Sequence, residues 1–347
     1  MRFWKTIAAA GLALALASGS ALAQEFTLKY GHVGPATDNS DDHVPGVFLK
    51  SYLESRSNGR IKVEIYPAGQ LGGFTEMMEA VQLGTLELTH TSLGGIVPFV
   101  PELQVLDIPY MLTDDRLAEA VLSGPFLDEM RRAVLEKTGS IRLMAASNTG
   151  RWRSFYTTNK QIRNRDDLAG VKIRTIPSPL QQEFVSFLGG NPTPVAWGEL
   201  YTALGSGVVE GTKNAALDVV SNKLDEHLKY AVLDEHAYLA GFYWMNQAFL
   251  EKLPEDLRAL VIDGVIQMAE VQTNFNKRLD GIAQQQFIDG GGTVYVPNAE
   301  DKQSFEAGKA YMIEWYTDRF GTAWLDKLNS AISSASEAIA ASRSLAN

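Results

Sequence analysis

Apolar and polar positions change their period repeatedly along this chain, and the changes predict its elements. Ile61-Lys62-Val63-Glu64-Ile65 alternates with period two and reads as a strand, as does Phe26–Tyr30. Between them Val44–Leu53 carries a helical period. Pro67–Gly73 breaks the chain, Thr75–Leu83 is helical again, and Leu86–Thr91 is a third strand. Strands separated by helices at this interval imply a parallel sheet, whose ligands sit beyond the carboxyl ends of the strands. The residues there are His32, Val33, Phe74 and Ser92.

The stretch 171–214 repeats the alternation. Val171 and Ile173 predict a short buried strand that delivers Arg174 to a proline-bounded turn. Leu180, Phe184, Phe187 and Leu188 then form a helical stripe, and Pro192-Thr193-Pro194 is an extended piece leading to Trp197. A short helix over 198–204 and a strand beginning at Val208 and Val209 end at Asn214. Upstream, 148–162 reads as a crossing between two lobes, with Arg151 and Arg153 on one strand face. Downstream, Leu257, Leu260, Val261, Val265, Met268, Val271, Phe275 and Leu279 recur every three or four residues. A helix of about thirty residues would extend roughly 45 Å, which is more than one lobe needs, so it should span both. The segment 301–347 is helical in pattern and ends in small residues, either a belt or a frayed tail.

Composition narrows the class. Arg2 and Lys5, the apolar run Ile7–Ala17 and Ala21-Leu22-Ala23 predict a secretory signal over residues 1–23. The run is too short to span a bilayer, and nothing later holds eighteen apolar residues in succession. The 347 residues include no cysteine, so disulfides, thiolate metal sites and lipidated cysteines are excluded. A soluble protein outside the inner membrane is expected. Its length beyond the signal suggests two lobes. These are 24–151 with about 240–275, and 152–239 with about 276–347. The net charge of −10 argues against nucleic acid or an anionic membrane as partner. It also requires a local positive cluster for any anionic ligand.

An arginine, an aromatic ring and an amide at successive element ends are the parts of a carboxylate site. The guanidinium fork makes two parallel charge-assisted bonds, the amide orients, and the ring excludes water. Each also has an ordinary reading: Arg174 as a surface ion-pair partner, Trp197 as core, Asn214 as a turn cap. Other chemistries find no support. The glycines from Gly205 to Gly211 are misspaced for a dinucleotide fingerprint, and Walker A, HExxH and GxSxG patterns are absent. Asp38–Leu49 fails as a calcium loop, with His43 where glycine belongs and Leu49 where glutamate belongs. Asp225–His227 and Asp234–His236 lie nine residues apart, on opposite faces of any one helix, and read as two element ends. No catalytic residue, cofactor or metal is expected.

Several separated motifs occur in one order: Gly170-x-Lys172-Ile173-Arg174-x-x-Pro177-Ser178, Pro192-Thr193-Pro194-x-Ala196-Trp197-x-Glu199-x-Tyr201-x-Ala203-Leu204, and Gly207-Val208-Val209-Glu210-Gly211-x-x-Asn214. Tyr66–Gly72 and Asp107–Tyr110 precede them. Together they resemble the substrate-binding proteins of TRAP (tripartite ATP-independent periplasmic) transporters, of the dicarboxylate-binding DctP type. The resemblance implies an α/β, two-lobed periplasmic binding protein fold with a long helix spanning both lobes. It implies a monomer in the periplasm that captures a small organic carboxylate (a dicarboxylate, sugar acid or hydroxy acid) and delivers it to the TRAP membrane permease. It places Phe74, Ser92, Arg174, Trp197 and Asn214 at the ligand. The Arg-x-Phe-Tyr-Thr-Thr pattern adds Arg153, with Arg151 a rival for the same role. Where the family commonly has Gln-Glu-Asn, this chain has Thr212-Lys213-Asn214. If extended, that segment turns Lys213 away from Thr212 and Asn214. The alternative is a secreted α/β enzyme acting on an anionic small molecule, or a sensor that docks to a receptor domain.

Overall fold

In the computed structural model residues 24–344 are described, so the expected signal over 1–23 lies outside them. Phe26, Leu28 and Tyr30 face inward along β1 (Phe26–Gly31), and α1 (His43–Arg56) buries Leu49 and Leu53 above it. β2 (Ile61–Tyr66), α2 (Phe74–Leu83) and β3 (Leu88–Ser92) follow, with β1 parallel to both strands. α2 stops at Gly84, whose φ of 75° is a left-handed value that suits a helix C-terminus. α3 (Asp115–Ser123) is capped by Asp114, which accepts from the Leu117 N–H at 3.0 Å, and α4 (Pro125–Thr138) opens on proline.

The chain then enters β4 (Ile141–Thr157), which has 17 residues. The second lobe is built from β5 (Lys172–Thr175), α5 (Pro179–Phe187), β6 (Asn191–Pro194), α6 (Leu200–Gly205), β7 (Gly211–Asn214) and α7 (Ala216–Ser221). β8 (Tyr230–Asn246), another 17 residues, returns to the first. The remaining elements are α8 (Gln247–Lys252), α9 (Glu255–Asp289), β9 (Thr293–Tyr295), α10 (Ala299–Phe320) and α11 (Ala323–Ser344).

All strands join one sheet, in the order β2-β1-β3-β8-β4-β7-β5-β6, with β9 on the free end of β8. The sheet is mixed, not wholly parallel as expected. β4 and β8 run antiparallel to each other, β3 pairs antiparallel with β8, and β7 pairs antiparallel with β4. Each lobe keeps its own parallel strands. The two long strands run through both, and their register shifts at Asn148/Arg151 and Arg153/Phe155 fall midway. Bulges bend a strand and sharpen its twist, which places a hinge there.

Several local expectations change on the same grounds. The strand expected from Val208 begins only at Gly211. Gly207, at φ 72°, turns the chain, leaving Val208 exposed and Val209 buried. The helix expected over 198–204 is a 3-10 turn over Trp197–Glu199 leading into α6. Asp234 and His236 are not at an element end. They sit inside β8, fully buried, where Asp234 accepts from the Tyr110 hydroxyl at 3.0 Å and pairs with His236 Nδ1 at 2.8 Å.

α9 spans both lobes. In its first half Gln267 donates to the Tyr52 hydroxyl of α1 at 3.1 Å. Midway the Asn276 amide donates to the Asn148 carbonyl at 2.6 Å, and near its end Phe287 packs among Tyr156, Leu204 and Leu228. Its 35 residues extend about 50 Å without a proline. α11 forms a belt: Trp324 meets Phe126 of α4 edge-on at 5.8 Å, and Lys327 pairs with Glu129. No helix among the described residues is long and apolar enough to cross a membrane.

Gly241 of β8 lies between Ser92 of β3 and Ser147 of β4. A Cβ there would stand 2.1 Å from His90 Nε2 and 2.3 Å from Thr149 Cγ2. The His90 ring is held by Asp42 at 2.6 Å and lies 4.7 Å from the Tyr243 ring, so it has nowhere to move. Gly241→Ala should therefore destabilise the chain by about 1–3 kcal/mol, read from its urea midpoint. An unchanged midpoint would show that the three strands part easily.

Candidate ligand-binding site

β5, β6 and β7 run parallel and end on one side, facing the ends of the first-lobe strands. Arg174 sits one residue before the end of β5, 3% exposed. Its Nε donates to the Val195 carbonyl at 2.9 Å, and its guanidinium lies 5.5 Å from the Trp197 ring. The run from β6 positions that ring: Pro194 ends the strand and Trp197 opens the 3-10 turn, half-buried. Trp197 thus lines the cavity while also packing against the cluster around Leu200 and Leu204. Arg153, on β4, is 5% exposed and donates from Nη1 to the Lys213 carbonyl at 3.0 Å. Asn214 closes β7. Its Oδ1 accepts from the Thr212 hydroxyl at 2.7 Å and its Nδ2 donates to Asp218 Oδ2 at 3.0 Å.

These side chains meet at one inter-lobe cavity. Arg153, Arg174, Trp197 and Asn214 line it from the second lobe, Phe74 and Ser92 from the first. All six residues expected at a ligand are together. The cavity is about 60 Å³, and it adjoins a cleft of about 450 Å³ that shares Phe74, Arg174 and Trp197. The Ser92 hydroxyl is buried and has no hydrogen-bond partner.

Neither Arg153 nor Arg174 forms an ion pair with any carboxylate among the described residues. Burial lowers both, and the charge of Arg153 adds to the effect on Arg174, which comes down to about 9. That value still leaves the guanidinium charged at neutral pH. Asp107 and Asp218 offset part of this for Arg153, and Asp218 for Arg174, but neither fork meets a carboxylate directly. Two buried, like-charged forks are costly unless an anion completes them.

Arg151 goes elsewhere. Its φ of 71°, straight after Gly150, turns its side chain off the face it was expected to share with Arg153. There Nε donates to Asp115 at 2.9 Å and Nη1 to Asp280 at 2.6 Å. Lys213 points away from the cavity, as the extended segment implied. Its ammonium donates to Gln181 Oε1 at 3.0 Å and lies 5.9 Å from the Phe184 ring.

Sequence reasoning missed the acids. Asp41, Asp42 and Asp218 line the same cavity, as does His90. Asp42 Oδ1 meets His90 Nδ1 at 2.6 Å and Oδ2 accepts from the Gly34 N–H at 3.1 Å. The only available signal was position: two aspartates before a helix that follows a strand end, and one four residues beyond Asn214. Among the described residues no group of three or more histidines and carboxylates is arranged to hold a metal ion.

Two lobes closing on a cavity with unpaired buried arginines define a binding protein for small anions. The chain belongs to the DctP family, family 7 of bacterial extracellular solute-binding proteins, which matches residues 30–317. It is 33% identical over 310 residues to a solute-binding protein of Verminephrobacter eiseniae, covering 88% of this chain and 87% of that one. It is 30% identical over 302 residues to the C4-dicarboxylate-binding periplasmic protein DctP of Rhodobacter capsulatus, covering 86% and 89%. Among solved structures, a TRAP periplasmic solute-binding protein from Polaromonas sp. JS666, bound to D-erythronate, superposes with a TM-score of 0.81 at 27% identity, covering 88% of this chain and 98% of that one. The galactonate complex of a sugar acid binding protein from Advenella mimigardefordensis has the same fold, with a TM-score of 0.84 at 21% identity, covering 89% and 98%. The family consists of transporter binding proteins, not enzymes.

Lys213 generates a pH dependence. Burial first, then the Arg153 charge, lowers its ammonium from 10.5 to about 7. Between those values the unfolded chain holds a proton that the folded chain lacks, so stability rises with pH across that window. Urea midpoints should increase between pH 7 and about pH 9.5, and Lys213→Met should remove most of the increase. Equal slopes in the two proteins would mean that Lys213 keeps its proton in the fold.

Proposed function

We propose that the chain works in the periplasm as a monomer, captures a small organic carboxylate between its lobes and passes it unchanged to TRAP permease subunits. The observation that carries this reading is the pair Arg153 and Arg174, buried in one cavity with no carboxylate paired to either. The Arg174 fork takes the two carboxylate oxygens, Arg153 supplies the second charge and Asn214 fixes orientation. Trp197 and Phe74 cover the ligand's flat or apolar faces, and Ser92 adds a hydrogen bond from the other lobe. The D-erythronate carried by the Polaromonas relative has the required carboxylate, as does the substrate class named for the Rhodobacter relative. Periplasmic residence is supported by the predicted signal over residues 1–23 and by the periplasmic relatives. The lobe division expected from the sequence, 24–151 with about 240–275 and 152–239 with about 276–347, is one we adopt, since the midpoints of β4 and β8 fall at its boundaries. α11 lies back across α3 and α4.

Because each lobe carries part of the site, ligand makes its full set of contacts only in the closed form, and it thereby shifts the open–closed equilibrium. α9 limits the travel, having no proline to kink at. A bound acid should produce a small contraction in solution scattering, and Arg174→Ala should abolish it at the same ligand concentration. A radius of gyration that never changes under proven tight binding would confine the site to one lobe. Arg174→Lys should lose about 2–5 kcal/mol of binding by calorimetry with folding intact, because the charge remains but the fork is gone. Unchanged affinity would take Arg174 out of the site. Trp197→Ala should weaken binding less than that, yet alter the order of preference among acids. Loss of the fold in this variant would mean that the ring is core after all.

A further inference from the structure

A buried lysine stands behind the two cavity arginines. Lys213 is 3% exposed and lies between Thr212 and Asn214 on β7, its side chain on the face away from the cavity. Its backbone carbonyl accepts from Arg153 Nη1 at 3.0 Å, so one residue both braces a cavity arginine and carries an amine of its own. That amine donates to a neutral group, Gln181 Oε1 of α5, at 3.0 Å, and among the described residues it forms no ion pair. The charged groups around it come from each neighbouring element: Arg153 of β4, Arg174 of β5, Asp107 at the end of the 3-10 segment Pro101–Asp107, and Asp234 and His236 of β8. Both acids are already engaged. Asp107 accepts from the Ser178 hydroxyl at 3.2 Å, while Asp234 accepts from Tyr110 and pairs with His236. Burial and then the Arg153 charge bring the Lys213 ammonium down to about 7. A neutral amine still has hydrogens to give to Gln181, so loss of the proton leaves this geometry intact.

A carboxylate that settles on Arg153 and Arg174 brings a negative charge into the same low-dielectric interior and offsets the repulsion that Lys213 feels. We infer that capture of an anion between the lobes is coupled to uptake of one proton by Lys213, which acts on the site without touching the ligand. The Nζ lone pair takes that proton from solvent, and no other bond changes. The sign follows from linkage. The ligand raises the lysine above its free-state value, so binding is tightest where the amine is already charged and weakens as pH rises through the bound-state value. Asp218, in the cavity and raised to about 6 by burial, is a rival proton acceptor on the acid side of this window, and Arg174, brought down to about 9, is one on the alkaline side. The inference rests on the carboxylate reading of the two arginines and adds a proton as the ligand's companion.

The test is calorimetry on the whole chain with D-erythronate, D-glucuronate and succinate, in HEPES and in Tris, whose protonation enthalpies differ. An acid that binds should take up about half a proton near pH 7.5, and its affinity should fall about fivefold between pH 7 and pH 9. Lys213→Met and Lys213→Gln both remove the titrating amine. In either, once cooperative melting has certified the fold, the uptake should vanish and the affinity should stay flat at the level of the unaltered chain at pH 9. Binding by the unaltered chain with no proton taken up overturns the coupling and leaves the arginine reading standing. Uptake that persists in both variants also overturns it, because the proton then goes to Asp218 or Arg174. Binding of none of the three acids by a cooperatively melting chain overturns the arginine reading and the coupling together.

Discussion

The pairing of β4 with β8 is the constraint on which everything else hangs. Two 17-residue strands, hydrogen-bonded antiparallel from Ile141↔Asn246 to Thr157↔Tyr230, carry the backbone through both lobes. Every other strand attaches to one of them, directly or through a neighbour. The lobes are therefore not independent bodies on a flexible linker. They are two ends of one sheet, bent where the register slips. The bulged middle is where such a sheet bends most readily, and the site is placed beside it. Arg153 belongs to that middle, and Thr149, which approaches Gly241, lines the cavity.

α9 adds a second tie that acts at a distance from the first. Its contacts with Tyr52 on one side and with Tyr156 through Phe287 on the other set the spacing of the lobes. The Asn276 amide fastens it to Asn148 at the register slip. A sheet hinge alone would allow twist as well as closure. A stiff helix across it resists that twist and so favours closure over rotation of the two halves. That matters for a site whose arginines come from one lobe and whose Phe74 and Ser92 come from the other.

The electrostatics of the cavity are deliberate only in combination. Buried arginines without partners cost stability, and so do buried acids without partners. Here both kinds occupy one space: Arg153 and Asp218 act on each other's charge without forming a salt bridge, and Asn214 donates to Asp218 Oδ2 at 3.0 Å. Lys213, one residue away, is kept on the other face by Gln181 and adds potential but no contact.

Much of this was legible in the chain itself, wherever the information was local. Period-two and helical patterns placed β1, β2, β5, α5 and α9 closely. The same period of two turned Lys213 away from Asn214, because successive side chains of an extended strand must alternate. Arg174 and Trp197 were recognisable as element ends from the prolines beside them. β8 was not legible. It is buried on both faces, so its apolar residues do not alternate, and polar Asp234, Glu235 and His236 interrupt them. The choice between Arg151 and Arg153 depended on a left-handed residue after Gly150, which no side-chain pattern reports. Asp41 and Asp218 are separated by about half of the chain. Only the folding of two lobes onto one sheet brings them to one cavity, and periodicity along a sequence carries no record of what lies across a cleft.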